Sequence, residues 1–250
     1  MMLRIVRIGF FYVLLLELAI GLLLGNLACL PLIVLPARLR QRLMQSLISY
    51  FLRVFLWSGE VYGVMRLDLK NLDRLNQESR LILVANHPSM IDVFLIVSRL
   101  RRSVCLMKAS ISSNLFLGIG AHLAGYVSNR QVDHALRKAI DSVRAGSLLL
   151  TFPEGTRTIR QPVNDIKPGF ALIAKRAQAP IQTILIRTNS EYLSQGWKIW
   201  RAPPLPMVYK AVIGEQLFYS NSHSETASQL QNYFENTLSL SIDPAVKVER

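Results

Sequence analysis

Four short, largely apolar runs, at 81–85, 104–107, 148–152 and 181–186, recur through the middle of the chain with helically patterned segments between them. Runs this short, with no regular polar alternation, read as strands buried on both faces. Strands of that kind joined by helices restrict the chain to the α/β class, with a mixed, mostly parallel sheet flanked by helices. The predicted order is strand 61–69, strand 81–85, helix 89–100, strand 104–107, helix 113–124, strand 126–128, helix 132–145 and strand 148–152. Helix 168–177, strand 181–186, strand-like pieces at 198–201 and 207–213, and helix 225–238 complete it, with frayed residues after 243. Gly146 is placed to cap one helix at its C-terminus, and Ser222 with Glu225 forms a capping box for the last.

The first 58 residues carry the signals of location. The stretch 8–35 is nearly continuously apolar, broken only by Glu17, Asn26 and a few glycines, and is long enough to cross a bilayer. Arg4 and Arg7 precede it while Arg38, Arg40, Arg42 and Arg53 follow, which predicts that the bulk of the chain stays in the cytoplasm. A cleaved signal peptide fits poorly, because the run is too long and its end, Cys29-Leu30-Pro31-Leu32, stays apolar. Glu17 at mid-membrane costs about 2.5 to 3.5 kcal/mol and calls for a partner helix. The segment either spans or dips in and returns, with Gly25-Asn26 or Pro31 at the bend. A second helix follows, with Leu43, Leu47, Phe51 and Val54 on one face and Arg42, Gln45, Ser49 and Arg53 elsewhere, closed by Gly59. That stripe suits a membrane interface and equally suits packing on a core. The division is thus 1–58, a transmembrane or re-entrant segment with an amphipathic interfacial helix, and 59–250, a single α/β domain.

The mean hydropathy of +0.28 reflects that N-terminal concentration. A net charge of +13, from 29 basic and 16 acidic residues, suits nucleic acid, anionic lipid or phosphorylated substrates. The apolar N-terminus favours lipid, and no zinc-finger, KH-like or RNP-like pattern supports nucleic acid. Cys29 and Cys105 make a disulfide framework improbable.

The chemistry gathers at predicted strand ends. In Asn86-His87-Pro88-Ser89-Met90-Ile91-Asp92, Pro88 disfavours helix at His87 and opens the helix that carries Asp92. His87 can then fold back onto Asp92 and become an oriented general base. The pair alone reads as well as a helix cap with a surface carboxylate. A second cluster, Phe152-Pro153-Glu154-Gly155-Thr156-Arg157-Thr158, follows another strand, where α/β sheets bind ligands. Lys108 and Arg130 end two further strands, and Lys167 stands at a helix start, where backbone amides attract anions. Parallel strands would gather all of these at one edge. There is no G-x-S-x-G, no phosphate loop and no His/Cys metal spacing; Gly118-Ile119-Gly120 reads as packing, and His122, His134 and His223 as structural.

The blocks at Asn86 to Asp92, Gly125 to Arg130, Phe152 to Arg157 and Ala179-Pro180-Ile181 resemble the four ordered blocks of the glycerolipid acyltransferase family, typified by 1-acylglycerol-3-phosphate acyltransferases, over roughly 60–215. The resemblance implies one-step acyl transfer from acyl-CoA or acyl-ACP to a hydroxyl of lysophosphatidic acid, with no cofactor or metal. His87 would be the base and Asp92 its orienting partner. Asn86, Glu154, Gly155 and Thr156 would lie in the acceptor site, and Arg130 and Arg157, with Lys108 and Lys167, would meet the phosphate. A bacterial inner membrane with the catalytic domain on the cytoplasmic side goes with it. The first two blocks are also similar to acyltransferases of aryl-polyene pigment clusters, which points to another lipid-like acceptor. A basic membrane-binding protein without turnover is the third reading.

Overall fold

A computed structural model describes residues 2–114 and 116–239. Seven strands form one sheet: β1 (Met65–Asp68), β2 (Leu81–Ala85), β3 (Ser103–Met107), β4 (Val127–Ser128), β5 (Leu148–Thr151), β6 (Ile181–Thr188) and β7 (Met207–Leu217). Their order is β1-β7-β6-β2-β5-β3-β4. The five strands from β6 to β4 are mutually parallel; β7 runs antiparallel to β6, and β1 is parallel to β7. All five residues of β2 are buried. Their alternate side chains feed two cores, Leu81, Leu83 and Ala85 on one face and Ile82 and Val84 on the other. This is why an apolar run without alternation forms a strand here.

The helices are α1 (Met2–Cys29), α2 (Ala37–Val61), α3 (Ile91–Val97), α4 (Ala109–Ser112), α5 (Gly118–Leu123), α6 (Val132–Arg144), α7 (Gly169–Ala177) and α8 (His223–Ser239). Residues of α1, α2 and α3 fill the first core, and residues of α6, α7 and α8 fill the second. The α/β class and its mostly parallel sheet are therefore as the sequence predicts.

The chain between α1 and α2 reverses over a short 3₁₀ stretch, Leu30–Val34. The helices pair as a hairpin, with Phe10 stacked on Tyr62 at 5.1 Å and Ser58 Oγ donating to Glu17 Oε1 at 2.8 Å. Glu17 thus finds its partner helix within the same chain. Phe11 and Leu14 are buried in the first core, and Asn26 Nδ2 donates to the Phe116 carbonyl near α5. The apolar segment therefore lies along the α/β domain and turns back. The bend falls beside Pro31 and not at Gly25-Asn26, and the apolar helix before it is long enough to cross a bilayer.

Several boundaries move. The stretch 61–69 is not one strand: α2 runs through Gly59 to Val61, Gly63 turns the chain with φ +68, and β1 starts at Met65. Gly59 serves close packing instead of helix termination, since a Cβ there would lie 3.1 Å from Met65 Sδ. On α2 the buried positions include Gln45 and Ser49, whereas Leu43 and Leu47 are exposed. Gln45 Nε2 donates to the Ala124 carbonyl at the end of α5, and Ser49 Oγ and Arg53 Nε donate to the Ser98 carbonyl at the end of α3. Helix ends leave carbonyls that need donors, so these polar side chains face inward and the leucines are left outside. Helix 89–100 shortens to α3, and among the described residues of 113–124 only Gly118–Leu123, α5, is helical. Residues 198–201 form turns and not a strand. The frayed segment predicted after 243 lies outside the described residues.

Candidate active site

The carboxyl ends of β2, β3, β4, β5 and β6 share one edge of the sheet, and the residues singled out in the sequence follow them. His87 leaves β2, Glu154 leaves β5, Lys108 follows β3 and Arg130 follows β4. With neighbouring strands about 4.8 Å apart, β3 and β4 stand about 10 Å and 14 Å from β2. Lys108 and Arg130 are exposed on that edge, to one side of His87.

His87 Nδ1 lies 2.9 Å from Asp92 Oδ2, which also accepts the Ser89 N–H at 2.7 Å. An ionised carboxylate only accepts, so Nδ1 carries the ring proton and Nε2 presents a lone pair. Asp92 is completely buried on the second residue of α3. Burial raises its pKa, while the hydrogen bond and charge of His87 and the Ser89 amide pull it partly back. The imidazole stacks on Phe152, with centroids 4.1 Å apart, which fixes the ring's second face.

Glu154 works on the same histidine from behind. Its Oε1 accepts the His87 backbone N–H at 2.7 Å, its Oε2 accepts the Asn164 N–H at 2.9 Å, and Thr158 Oγ1 lies 3.0 and 2.9 Å from the two oxygens. Thr158 N–H in turn donates to the His87 carbonyl at 2.7 Å. Burial raises the Glu154 pKa, and the Asn164 and His87 amides and the Thr158 hydroxyl offset part of it. With both oxygens hydrogen-bonded within the protein and the residue buried, Glu154 organises the histidine loop. Asn86 is held in the same way. Its Nδ2 donates to the Ile186 carbonyl at 2.9 Å and its Oδ1 accepts the Ile186 N–H at 2.7 Å, which ties the β2 loop to β6.

Gly155, by contrast, faces outward with φ +70, and a Cβ there would lie 2.9 Å from Lys167 Nζ. Glycine is required by the backbone, while the lysine laid across the turn could move aside for a side chain. Thr156 Oγ1 is 3.5 Å from Gln195 Oε1. Arg157 Nη1 donates to the carbonyls of Leu193 and Ser194 at 2.9 and 2.8 Å. The loop it holds also takes Met90 N–H on the Leu193 carbonyl at 3.2 Å and Ser89 Oγ on the Tyr192 carbonyl at 2.7 Å. Leu193 itself sits at φ +57, a strained conformation for leucine. Thr158, Asn164 and this Tyr192–Ser194 loop were not singled out in the sequence. Thr158, four residues after Glu154 inside the motif, carried a signal; an ordinary Tyr-Leu-Ser carried none. Among the described residues no cluster of three His, Cys, Asp or Glu side chains could hold a metal.

A parallel sheet gathers a buried Asp–His pair and cationic side chains at one edge, and residues 66–187 match the model of the family Acyltransferase. The resemblance drawn from the four blocks therefore holds over the region that the family model matches. The particular relatives are 1-acyl-sn-glycerol-3-phosphate acyltransferases. One is the chloroplastic BAT2 protein of Brassica napus, 23% identical over 148 residues, covering 56% of this chain and 43% of that protein. A probable enzyme of that name from Mycoplasma genitalium is 27% identical over 124 residues, 46% of each chain. The human beta form is 27% identical over 157 residues, 59% of this chain and 54% of its own. The chain thus spans about half the length of the curated relatives it matches. In fold it is similar to the crystal structure of PlsC, the 1-acyl-sn-glycerophosphate acyltransferase of Thermotoga maritima, with TM-score 0.71 and 18% identity over 99% of this chain and 98% of that one.

Proposed function

We propose that the chain is a membrane-associated O-acyltransferase that moves a fatty acyl group from acyl-CoA or acyl-ACP to the free hydroxyl of 1-acylglycerol-3-phosphate. The observation that carries this is the His87–Asp92 pair at the carboxyl end of β2: one ring nitrogen is spent on a buried carboxylate, and the other makes no hydrogen bond among the described residues. His87 Nε2 takes the proton of the acceptor hydroxyl as its oxygen attacks the thioester carbonyl. The new C–O bond forms, the C–S bond breaks, and the leaving thiolate takes the proton back from the imidazolium. General-base assistance of this kind contributes about 10²- to 10⁴-fold. Ionised Asp92 stabilises the imidazolium in between, and no covalent enzyme intermediate or cofactor is needed for the atoms to balance.

Lys167 over Gly155, Arg157 beside it, and Lys108 and Arg130 further along the edge supply the positive charge that a phosphate monoester needs. Arg157 has one nitrogen committed to the Leu193 loop, so its fork meets phosphate with the remaining ones. The hairpin of α1 and α2, whose outward Leu23, Leu24, Leu27, Leu43 and Leu47 are exposed, suits insertion into a bilayer surface. A lipid acceptor would then reach the edge from the membrane, with the inner membrane of a bacterium as the setting and the site on the cytoplasmic side.

A panel of acyl donors and lipid acceptors on the purified protein, read by product mass, tests the reading. Formation of phosphatidic acid from lysophosphatidic acid supports it. A phosphate-free aryl acceptor acylated in preference would move the assignment to the aryl-polyene type, and a protein inert with every pair would leave a basic lipid-binding module. The buried Asp92 argues against the last, because lipid adhesion gains nothing from a desolvated carboxylate under a histidine.

A further inference from the structure

One exposed feature lies outside both the catalytic edge and the helical hairpin. Between β6 and β7, the turn Trp197-Lys198-Ile199-Trp200-Arg201 stands out from the domain with Trp200 64% and Ile199 46% exposed. Large apolar side chains exposed together mark an interaction surface. Cations accompany them: Arg201 lies over the Trp197 ring at 4.8 Å, and Lys198 Nζ is 5.9 Å from the Trp200 centroid. The turn is fixed and not a loose flap. Tyr192 Oη donates to the Ile199 carbonyl at 3.0 Å and Trp197 Nε1 to the Arg201 carbonyl at 2.9 Å.

We propose that this turn is a second membrane-contact element, separate from the hairpin, which seats Trp200 and Ile199 in the headgroup region of an anionic bilayer. The composition is that of an interfacial anchor: indole rings with an apolar body and a polar edge, next to lysine and arginine that pair with lipid phosphate. The surface is also continuous with the apolar helix, because Tyr12 Oη on α1 donates to the Trp200 carbonyl at 3.3 Å and Phe11 meets Tyr192 edge-on at 5.3 Å. The same loop reaches the chemistry. Its Tyr192, Leu193 and Ser194 carbonyls accept Ser89 Oγ, Met90 N–H and Arg157 Nη1. Lipid contact at Trp200 therefore sets the depth and tilt at which the active edge meets an acceptor held in the membrane.

The proposal rests on the membrane-associated reading given above but not on acyl transfer, and fluorescence tests it without turnover. Full-length wild type and Trp200→Phe are reconstituted on phosphatidylethanolamine–phosphatidylglycerol vesicles containing phosphatidylcholine brominated near the glycerol end of its chains. Bromine quenches the emission that Trp200→Phe removes, and a Lys198→Gln/Arg201→Gln protein shows less quenching at Trp200. In kinetics, Trp200→Ala raises KM for vesicle-borne acceptor about tenfold, equivalent to about 1.4 kcal/mol, while the rate on a short-chain, monodisperse acceptor stays at the wild-type value. Equal quenching in wild type and Trp200→Phe overturns the proposal, as does Trp200 emission that responds to protein concentration but not to vesicles, which would make the turn a contact between copies. Quenching in a protein without transferase activity would leave the turn as an anchor and sink only the catalytic reading.

Discussion

Replacing Glu154 with alanine removes the acceptor for three groups at once: the His87 amide, the Asn164 amide and the Thr158 hydroxyl. Each lost bond to a partly buried donor costs about 1 kcal/mol. Relief of a desolvated carboxylate, whose pKa burial has raised, returns part of that sum and leaves about 2 kcal/mol. In a chain of this size the loss lowers Tm by about 4 to 8 °C. The histidine loop also loses its rear support, so kcat falls while KM for the acceptor stays near wild type. Steady-state kinetics and a thermal melt on the same preparations check both. A large rise in acceptor KM with Tm unchanged would refute the reasoning, because it would mean that the carboxylate touches substrate. The pH dependence carries a sign of its own. A carboxyl with a raised pKa in the folded state stabilises the fold below its unfolded pKa and loses that contribution as pH rises through the folded value. The Tm difference between wild type and the always-neutral Glu154→Gln protein therefore moves in favour of the variant between about pH 4 and neutrality. A gap that moves the other way contradicts the burial argument.

Arg157→Ala raises KM for a phosphate-bearing acceptor more than for a phosphate-free one, and Arg157→Lys fails to restore it, since a point charge cannot hold two carbonyls and a phosphate together. Equal KM effects on both acceptors would remove Arg157 from phosphate binding. The Cys105 thiol, fully buried and pushed up to about 12, has roughly one thiolate in 10⁴ at pH 8. It resists iodoacetamide in the native protein and reacts on unfolding, as peptide mass mapping will read; rapid native alkylation would contradict its placement in the core. Deleting residues 1–36 removes Phe11 and Leu14 from the first core as well as the apolar surface, so the truncated chain loses stability along with membrane attachment. A truncated chain with wild-type Tm would show that α1 is merely tethered.

The sheet was legible because its central strands are buried on both faces, so an unbroken apolar run such as Leu81–Ala85 has few other ways to fold. Pro88 made the His87–Asp92 contact legible, since it keeps His87 out of the helix, although α3 begins only at Ile91 and not at the proline. The break within 61–69 was not, because Val61 suits a strand as well as the helix end it is, and only the turn at Gly63 separates it from β1 at Met65. On α2 Leu43 and Leu47 lie outside and Gln45 and Ser49 inside, while Phe51 still packs on the core, an arrangement set by the carbonyls at the ends of two neighbouring helices and invisible along one helix. Side-chain roles were harder than positions. Asn86 and Glu154 lie where the motif predicts, yet their polar atoms are consumed within the protein by partners 100 and 67 residues away.

The account stands most directly on His87→Ala, measured as phosphatidic acid formed per enzyme in a single turnover with saturating thioester and lysophosphatidic acid. The Tm of the same preparation shows that the fold is kept. The account predicts a rate about 10² to 10⁴ times lower than wild type at unchanged Tm; a folded His87→Ala protein that turns over at the wild-type rate contradicts it.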